Sequence, residues 1–213
     1  MTMKLNSNFF LFFALYTLTF AGDVLLKNLL EYDRLVYETY FEQVALDQIN
    51  DFIVRKNLFD IISYIVMPLF LFVKIYLIST FLDIGFFFAS VKIKFNELLN
   101  VVLKAEFIFL LPIILKLVWF YFIHPNYTLA DLQGYAPLSL MAIWQHKDIE
   151  PWYIYLLQTA NLFEVIYCIA LSLLLAQKLN ISIRRLFVIV ICSYGTGVLF
   201  WVSIVMFLVL NMS

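Results

Sequence analysis

Long apolar runs set the pattern of this chain, and short polar connectors separate them. Five runs are near the roughly 20 residues that a helix needs to cross a bilayer: Asn8 to Leu26, Leu58 to Leu82, Ala105 to Ile123, Trp152 to Ala176 and Arg185 to Leu210. The first run also has the outline of a secretory signal, with Lys4, an apolar stretch and Thr19-Phe20-Ala21 before Gly22. Four further runs fit a polytopic protein better than a secreted one, so the first is read as a span.

The connectors have patterns of their own. Along the connector of residues 27–57 and the end of the run before it, apolar positions recur at Leu25, Leu29, Val36, Tyr40, Val44, Ile49, Phe52 and Ile53, while Glu31, Asp33, Glu38, Glu42, Asp47 and Asp51 take the other face. This predicts an amphipathic outer helix packed on the membrane surface or on the protein itself, with an acidic docking arm as the alternative. In residues 93–104, Phe95, Leu98, Leu99, Val102 and Leu103 follow helical spacing, and Lys94, Glu97, Asn100 and Lys104 face elsewhere. That is the pattern of an interfacial helix lying in the headgroup plane. The third connector holds both histidines, His124 and His146, near Asp131, Asp148 and Glu150, at spacings that fit no metal-ligand pattern. There, Thr128 with Asp131 reads as a helix cap. Pro137 opens a short helix, "LSLMAIW", and Trp144 and Trp152 suit the interface.

Composition fixes the solvent. The chain is 64% hydrophobic and 14% charged, with a mean hydropathy of +0.94. Soluble domains are about half apolar and about a quarter charged. The expected fold class is therefore all-α: one transmembrane domain over residues 1–213, with five transmembrane helices plus the interfacial amphipathic helix. The net charge of −1 gives no bulk attraction to nucleic acid or anionic lipid. Cys168 and Cys192 both lie in apolar runs and form no metal or disulfide framework. Seven basic residues (Lys4, Lys92, Lys94, Lys104, Lys178, Arg184, Arg185) fall on the side of the N-terminus and five (Lys27, Arg34, Arg55, Lys56, Lys147) on the other. The positive-inside rule then places the N-terminus in the cytoplasm and the C-terminus outside.

One carboxylate stands out. Glu164 lies inside the fourth run, and Gln158, Asn161, Glu164, Cys168 and Ser172 would share one face of a continuous helix. By helical rise, Glu164, Lys116 and Lys74 would lie within several ångströms of one depth. An intramembrane polar cluster of Glu164, Lys116, Lys74 and Asn161 is expected, with Glu164 paired to one of the two lysines. It is either a packing device or a conduit for a proton or small anion. In the fifth run, Ser193 and Gly197 form a small-xxx-small pair suited to close helix packing. Catalytic templates such as H-E-x-x-H, G-x-S-x-G and the P-loop do not occur. No catalytic, cofactor-binding or metal-binding residue is therefore nominated.

Taken together, "FNELLNVVLKAEFIFLLPIIL", Pro112, Asn161-Leu162-Phe163 and the basic link "LNISIRR" into the last run resemble the Yip1 family of five-span membrane proteins in its bacterial form, over about residues 58–210. The resemblance implies five spans, a cytoplasmic N-terminus and no enzymatic activity. The expected function is a non-catalytic subunit or scaffold of a bacterial inner membrane, in contact with lipid and other integral membrane proteins. The alternative is a small transporter or channel subunit using Glu164, Lys116 and Lys74.

Overall fold

The computed structural model describes residues 2–41, 46–143 and 150–212; of these, the side chains of residues 2–6, 40–41, 46–54, 57, 151 and 212 are left undescribed. Among the described residues the chain is helical and has no strand. The helices are α1 (Thr2–Leu29), α2 (Tyr32–Phe41), α3 (Leu46–Phe88), α4 (Phe95–Ala105), α5 (Leu110–Val118), α6 (Leu129–Gly134), α7 (Leu140–Ile143), α8 (Pro151–Thr159), α9 (Leu162–Leu179) and α10 (Ile183–Met212). A 3-10 turn at Glu106–Phe109 joins α4 to α5, and a π-helical turn at Trp119–Ile123 follows α5.

Five helical stretches are long and apolar enough to cross a membrane: Ser7–Leu29, Leu58–Phe88, Phe95–Ile123, Leu162–Leu179 and Ile183–Asn211. The chain is an all-α membrane protein. Many large apolar side chains are exposed, as in Phe87 and Phe88 at 78% and 79%. Such exposure is costly in water and ordinary against lipid tails.

Three boundaries differ from the sequence pattern. The outer connector is not one amphipathic helix: α1 runs on to Leu29, α2 follows, and α3 has already begun at Leu46. Of its expected apolar face, the side chains of Tyr40, Val44, Ile49, Phe52 and Ile53 lie outside the described residues. The helix at residues 93–104 is the first part of the third candidate span. Its apolar face is buried against α9, with Leu98, Val101, Val102 and Leu103 inside, rather than open to headgroups. The fourth run is two helices, α8 and α9, broken at Ala160 and Asn161.

The chain forms two compact units. Unit 2 comprises Phe13–Val73 and Leu110–Tyr135. Its buried cluster is Leu30, Phe120 and Leu132, covered by Leu26, Tyr32, Leu35, Tyr127 and Tyr135. Asp60 on α3 links two lysines there: Lys27 of α1 at 3.2 Å and Lys56 at 3.2 Å. Lys56 also meets Asp33 of α2 at 2.5 Å, so the three helices share one ionic chain. α6 opens with a complete capping box, in which the Thr128 hydroxyl accepts from the Asp131 amide and Asp131 accepts from the Thr128 amide. The Thr128 amide and hydroxyl hold the Asp131 carboxyl below the usual carboxylate range.

Unit 1 comprises Met1–Phe12, Lys74–Phe109 and Ala136–Ser213. Here α10 packs along α8 and α9, and α4 packs along α9. The buried face of α9 is Phe163, Tyr167, Leu171 and Leu175, repeating every four residues. At α3, Gly85 lies against Ser193 of α10, and Phe81 lies against Gly197. The pairs 81/197 and 85/193 run in opposite directions along the two helices, so one antiparallel crossing holds both. A Cβ on Gly85 would fall 2.3 Å from the Ser193 Cβ, whereas one on Gly195 would meet nothing within 4 Å.

Gly85→Ala should therefore lower the unfolding free energy in detergent by about 1–3 kcal/mol, the usual cost of overpacking. Adding Ser193→Gly should recover most of that loss. Gly195→Ala should be neutral or stabilising, since it trades a helical glycine for the best helix former without a clash. Thermal melts of the four proteins by circular dichroism check this, and equal melting for Gly85→Ala and the parent would remove the crossing.

Candidate functional site

The site begins at the break between α8 and α9. Asn161 has extended backbone (φ −133°, ψ 164°), and its side-chain carbonyl accepts from the Glu164 amide at 3.0 Å. This is an N-cap, and it makes Leu162 the first helical residue. The Asn161 amide group donates back to the carbonyls of Gln158 at 3.0 Å and Thr159 at 3.1 Å, which end α8. The segment around Ser139 pairs two more backbone groups of the break: the Leu162 amide donates to the Leu138 carbonyl at 2.9 Å, and the Ala160 carbonyl accepts from the Leu140 amide at 3.0 Å. The break stands immediately before the candidate span Leu162–Leu179, and non-helical backbone bordering a span is stable where protein supplies such partners.

Glu164 is consequently the third residue of a helix and not the centre of one. The stripe expected from Gln158 through Ser172 is interrupted before it reaches Glu164. α9 instead turns its apolar stripe inward, with Tyr167 fully buried beside the half-buried Glu164 and Cys168.

Four elements of unit 1 supply the polar groups. The Tyr194 hydroxyl of α10 donates to Glu164 Oε2 at 2.5 Å. The Tyr167 hydroxyl of α9 donates to Glu106 Oε1 at 2.9 Å. Lys74 Nζ of α3 donates to Glu106 Oε2 at 2.8 Å. The two tyrosine rings pack at 5.1 Å between centroids and join the halves. Lys74 Nζ also sits 4.0 Å from the Phe109 ring centroid, and that ring packs on Tyr167 at 5.0 Å. Glu106 is only 2% exposed, whereas the Lys74 side chain keeps 34%. The cation therefore reaches inward from a half-open position to a carboxylate that is shut away.

Glu106 stands in the 3-10 turn for a local reason. Pro112 follows, and its ring would clash with the carbonyl four residues earlier, at Ile108, in a regular α-helix. A 3-10 turn over Glu106–Phe109 adjusts the helix immediately ahead of it.

The expected pairing of Glu164 with Lys74 or Lys116 is corrected by this geometry. Lys74 forms its ion pair with Glu106, and the hydrogen-bond partner of Glu164 is a tyrosine. Lys116, in unit 2, donates to the Leu132 carbonyl of α6 at 2.7 Å. Asn161 joins Glu164 as its cap. Three residues of the network, Glu106, Tyr167 and Tyr194, were not nominated by the sequence pattern. Glu106 carried a usable signal, since it continues the stripe Phe95, Leu98 and Val102 by one more helical turn. The tyrosines carried none, because an aromatic residue in an apolar run reads as core.

Chemically the arrangement is two hydrogen-bonded sets, Lys74–Glu106–Tyr167 and Tyr194–Glu164, held together by the packed rings of Tyr167 and Tyr194. Among the described residues, no buried side-chain nitrogen or oxygen lacks a partner. The chain matches no protein-family model, no curated protein and no solved structure.

Tyr167→Phe keeps the ring and removes the donor to Glu106. An acceptor left unsatisfied in a buried site costs about 1–3 kcal/mol. The variant should melt lower in detergent while keeping its helix content, and Tyr167→Leu should melt lower still because the ring contacts go as well. A Tyr167→Phe protein as stable as the parent would show that the hydroxyl does not hold Glu106.

Proposed function

We propose that the chain is a non-catalytic subunit or scaffold of a membrane, Yip1-like in its span count, which presents helix faces to other integral membrane proteins. One observation carries this reading: the network's polar side chains bond to one another. Groups committed to Lys74–Glu106–Tyr167 and Tyr194–Glu164 bonds serve packing, and a rigid set of spans is what a docking platform requires. No chemistry is assigned to the chain, and its cofactor requirement is none. A bacterial inner membrane is the proposed location, with the N-terminus cytoplasmic and the C-terminus outside, on the charge asymmetry of the connectors.

A second reading has its own observation. Transporters place substrate and ion sites where a spanning helix is broken near the midplane. The interruption at Ala160–Asn161 stands at the head of the candidate span Leu162–Leu179, one turn from Glu164, and so sets a carboxylate beside a helix break. It supports a small ion-handling subunit.

Purified protein reconstituted in vesicles separates the two. Under a pH gradient, the scaffold reading expects dissipation no faster than in empty vesicles, for the parent and for Glu164→Gln alike. Faster dissipation by the parent that Glu164→Gln abolishes would reject the scaffold and establish the conduit.

Orientation is checked separately with an impermeant thiol reagent in a Cys168→Ala/Cys192→Ala background. Gln133→Cys should label from the extracytoplasmic side of intact cells, and Asn180→Cys only after the membrane is opened. The reverse pattern would invert the assignment.

A further inference from the structure

Unit 1 concentrates positive charge at one end. Two connectors meet there: residues 89–94 between α3 and α4, and residues 180–182 between α9 and α10. Each begins near a residue in the left-handed conformation, Ser90 at φ 55° and Asn180 at φ 53°, which ends the preceding helix abruptly. The Arg185 guanidinium donates to the Ala89 carbonyl at 3.3 Å and ties the first turn of α10 to the connector at residues 89–94. On the same side, the Asn8 side chain bonds the Asn96 carbonyl at 3.3 Å and the Asn100 amide at 2.8 Å, fixing the start of α4.

Lys92, Lys94, Arg184 and Arg185 are all exposed around this junction. None of the four is in an ion pair among the described residues. Acidic side chains nearby in sequence are Asp83 and Glu97, so the cations outnumber them. The apolar flank is equally exposed: Phe87 and Phe88 close α3, while Ile183 and Val188 lie in the first turns of α10. All four apolar residues fall inside candidate spans, and Lys92 lies between two of them.

This pairing of unpaired cations with exposed apolar helix ends defines the ligand chemistry. An acidic peptide satisfies the cations alone. A phosphodiester with acyl chains satisfies both, and guanidinium groups match its oxygens with paired donors. We propose that the rim formed by Lys92, Lys94, Arg184 and Arg185 binds an anionic phospholipid, its headgroup phosphate on the cations and its chains along the ends of α3 and α10. The site is independent of whether the polar network locks the helices or conducts.

Native mass spectrometry of the detergent-purified chain, titrated with phosphatidylglycerol or phosphatidylcholine, tests the proposal. The parent should retain phosphatidylglycerol preferentially, and added salt should weaken that preference. Replacing the four cations by Gln should lower phosphatidylglycerol retention by about tenfold or more, since each basic residue adds measurably to attraction for anionic lipid. Retention of phosphatidylcholine should not change. Arg184→Lys with Arg185→Lys keeps the charge and should keep most of the preference. If the four-site variant loses helicity, Lys92→Gln and Lys94→Gln, both on a connector, should each give a partial loss. A parent that holds both lipids equally overturns the site, as does a preference untouched by the Gln variants. Binding of a polyglutamate peptide without lipid preference overturns it in favour of an acidic protein partner.

Discussion

A carboxylate removed from water must be matched by charge and hydrogen bonds, and Glu106 sets that requirement for unit 1. At 2% exposure it has no access to solvent, and both of its oxygens are taken, one by Lys74 and one by Tyr167. Those two partners belong to α3 and α9, so satisfying one carboxylate brings three segments together. Tyr167 then carries the link through its ring to Tyr194 of α10, which holds Glu164. Replacing a buried ion pair with apolar groups is often close to neutral in soluble proteins, while removing one member is costly. The value of the network therefore lies in specifying which helices meet, and in what register, more than in net stability.

The same demand for satisfied polar groups explains the interrupted helix. Ala160 and Asn161 leave the helical path, yet Asn161 caps both sides of the gap and the segment around Ser139 pairs the Leu162 amide and the Ala160 carbonyl. Closing the gap into one continuous helix would remove the N-cap and move Glu164 relative to Tyr194. The break and the network thus support each other. Elsewhere in unit 1, the Gly85–Ser193 approach brings α3 onto α10 more closely than a Cβ on Gly85 would permit.

The spans were legible in the sequence because hydrophobicity over about 20 residues is a strong signal, and five runs became five candidate spans. What failed was the assumption that an apolar run is one helix. Trp152 to Ala176 is apolar enough on average to read as one helix, but Asn161 competes for backbone groups as a cap, a local effect that hydropathy does not register. The depth estimate for Glu164 inherited that error. Glu106 falls at the start of the third run, Ala105 to Ile123, where hydropathy alone does not single it out. Its place one turn beyond Val102, on the apolar stripe of α4, was the sign of burial. Lys74 was flagged as an intramembrane cation, but its partner could not be identified without the three-dimensional path of α4. The Ser193 and Gly197 spacing signalled close approach, while the identity of the opposing helix required the fold.

The central claim is that Lys74 and Glu106 stabilise the fold through each other. A double-mutant cycle on Lys74→Leu and Glu106→Leu, followed by reversible unfolding in mixed micelles, measures that directly. The account predicts that each single variant is destabilised and that the double variant loses less than the sum, with a coupling of about 1 kcal/mol or more, as for contacting residues in one network. Strictly additive losses would contradict it and would leave the two side chains as neighbours without mutual dependence.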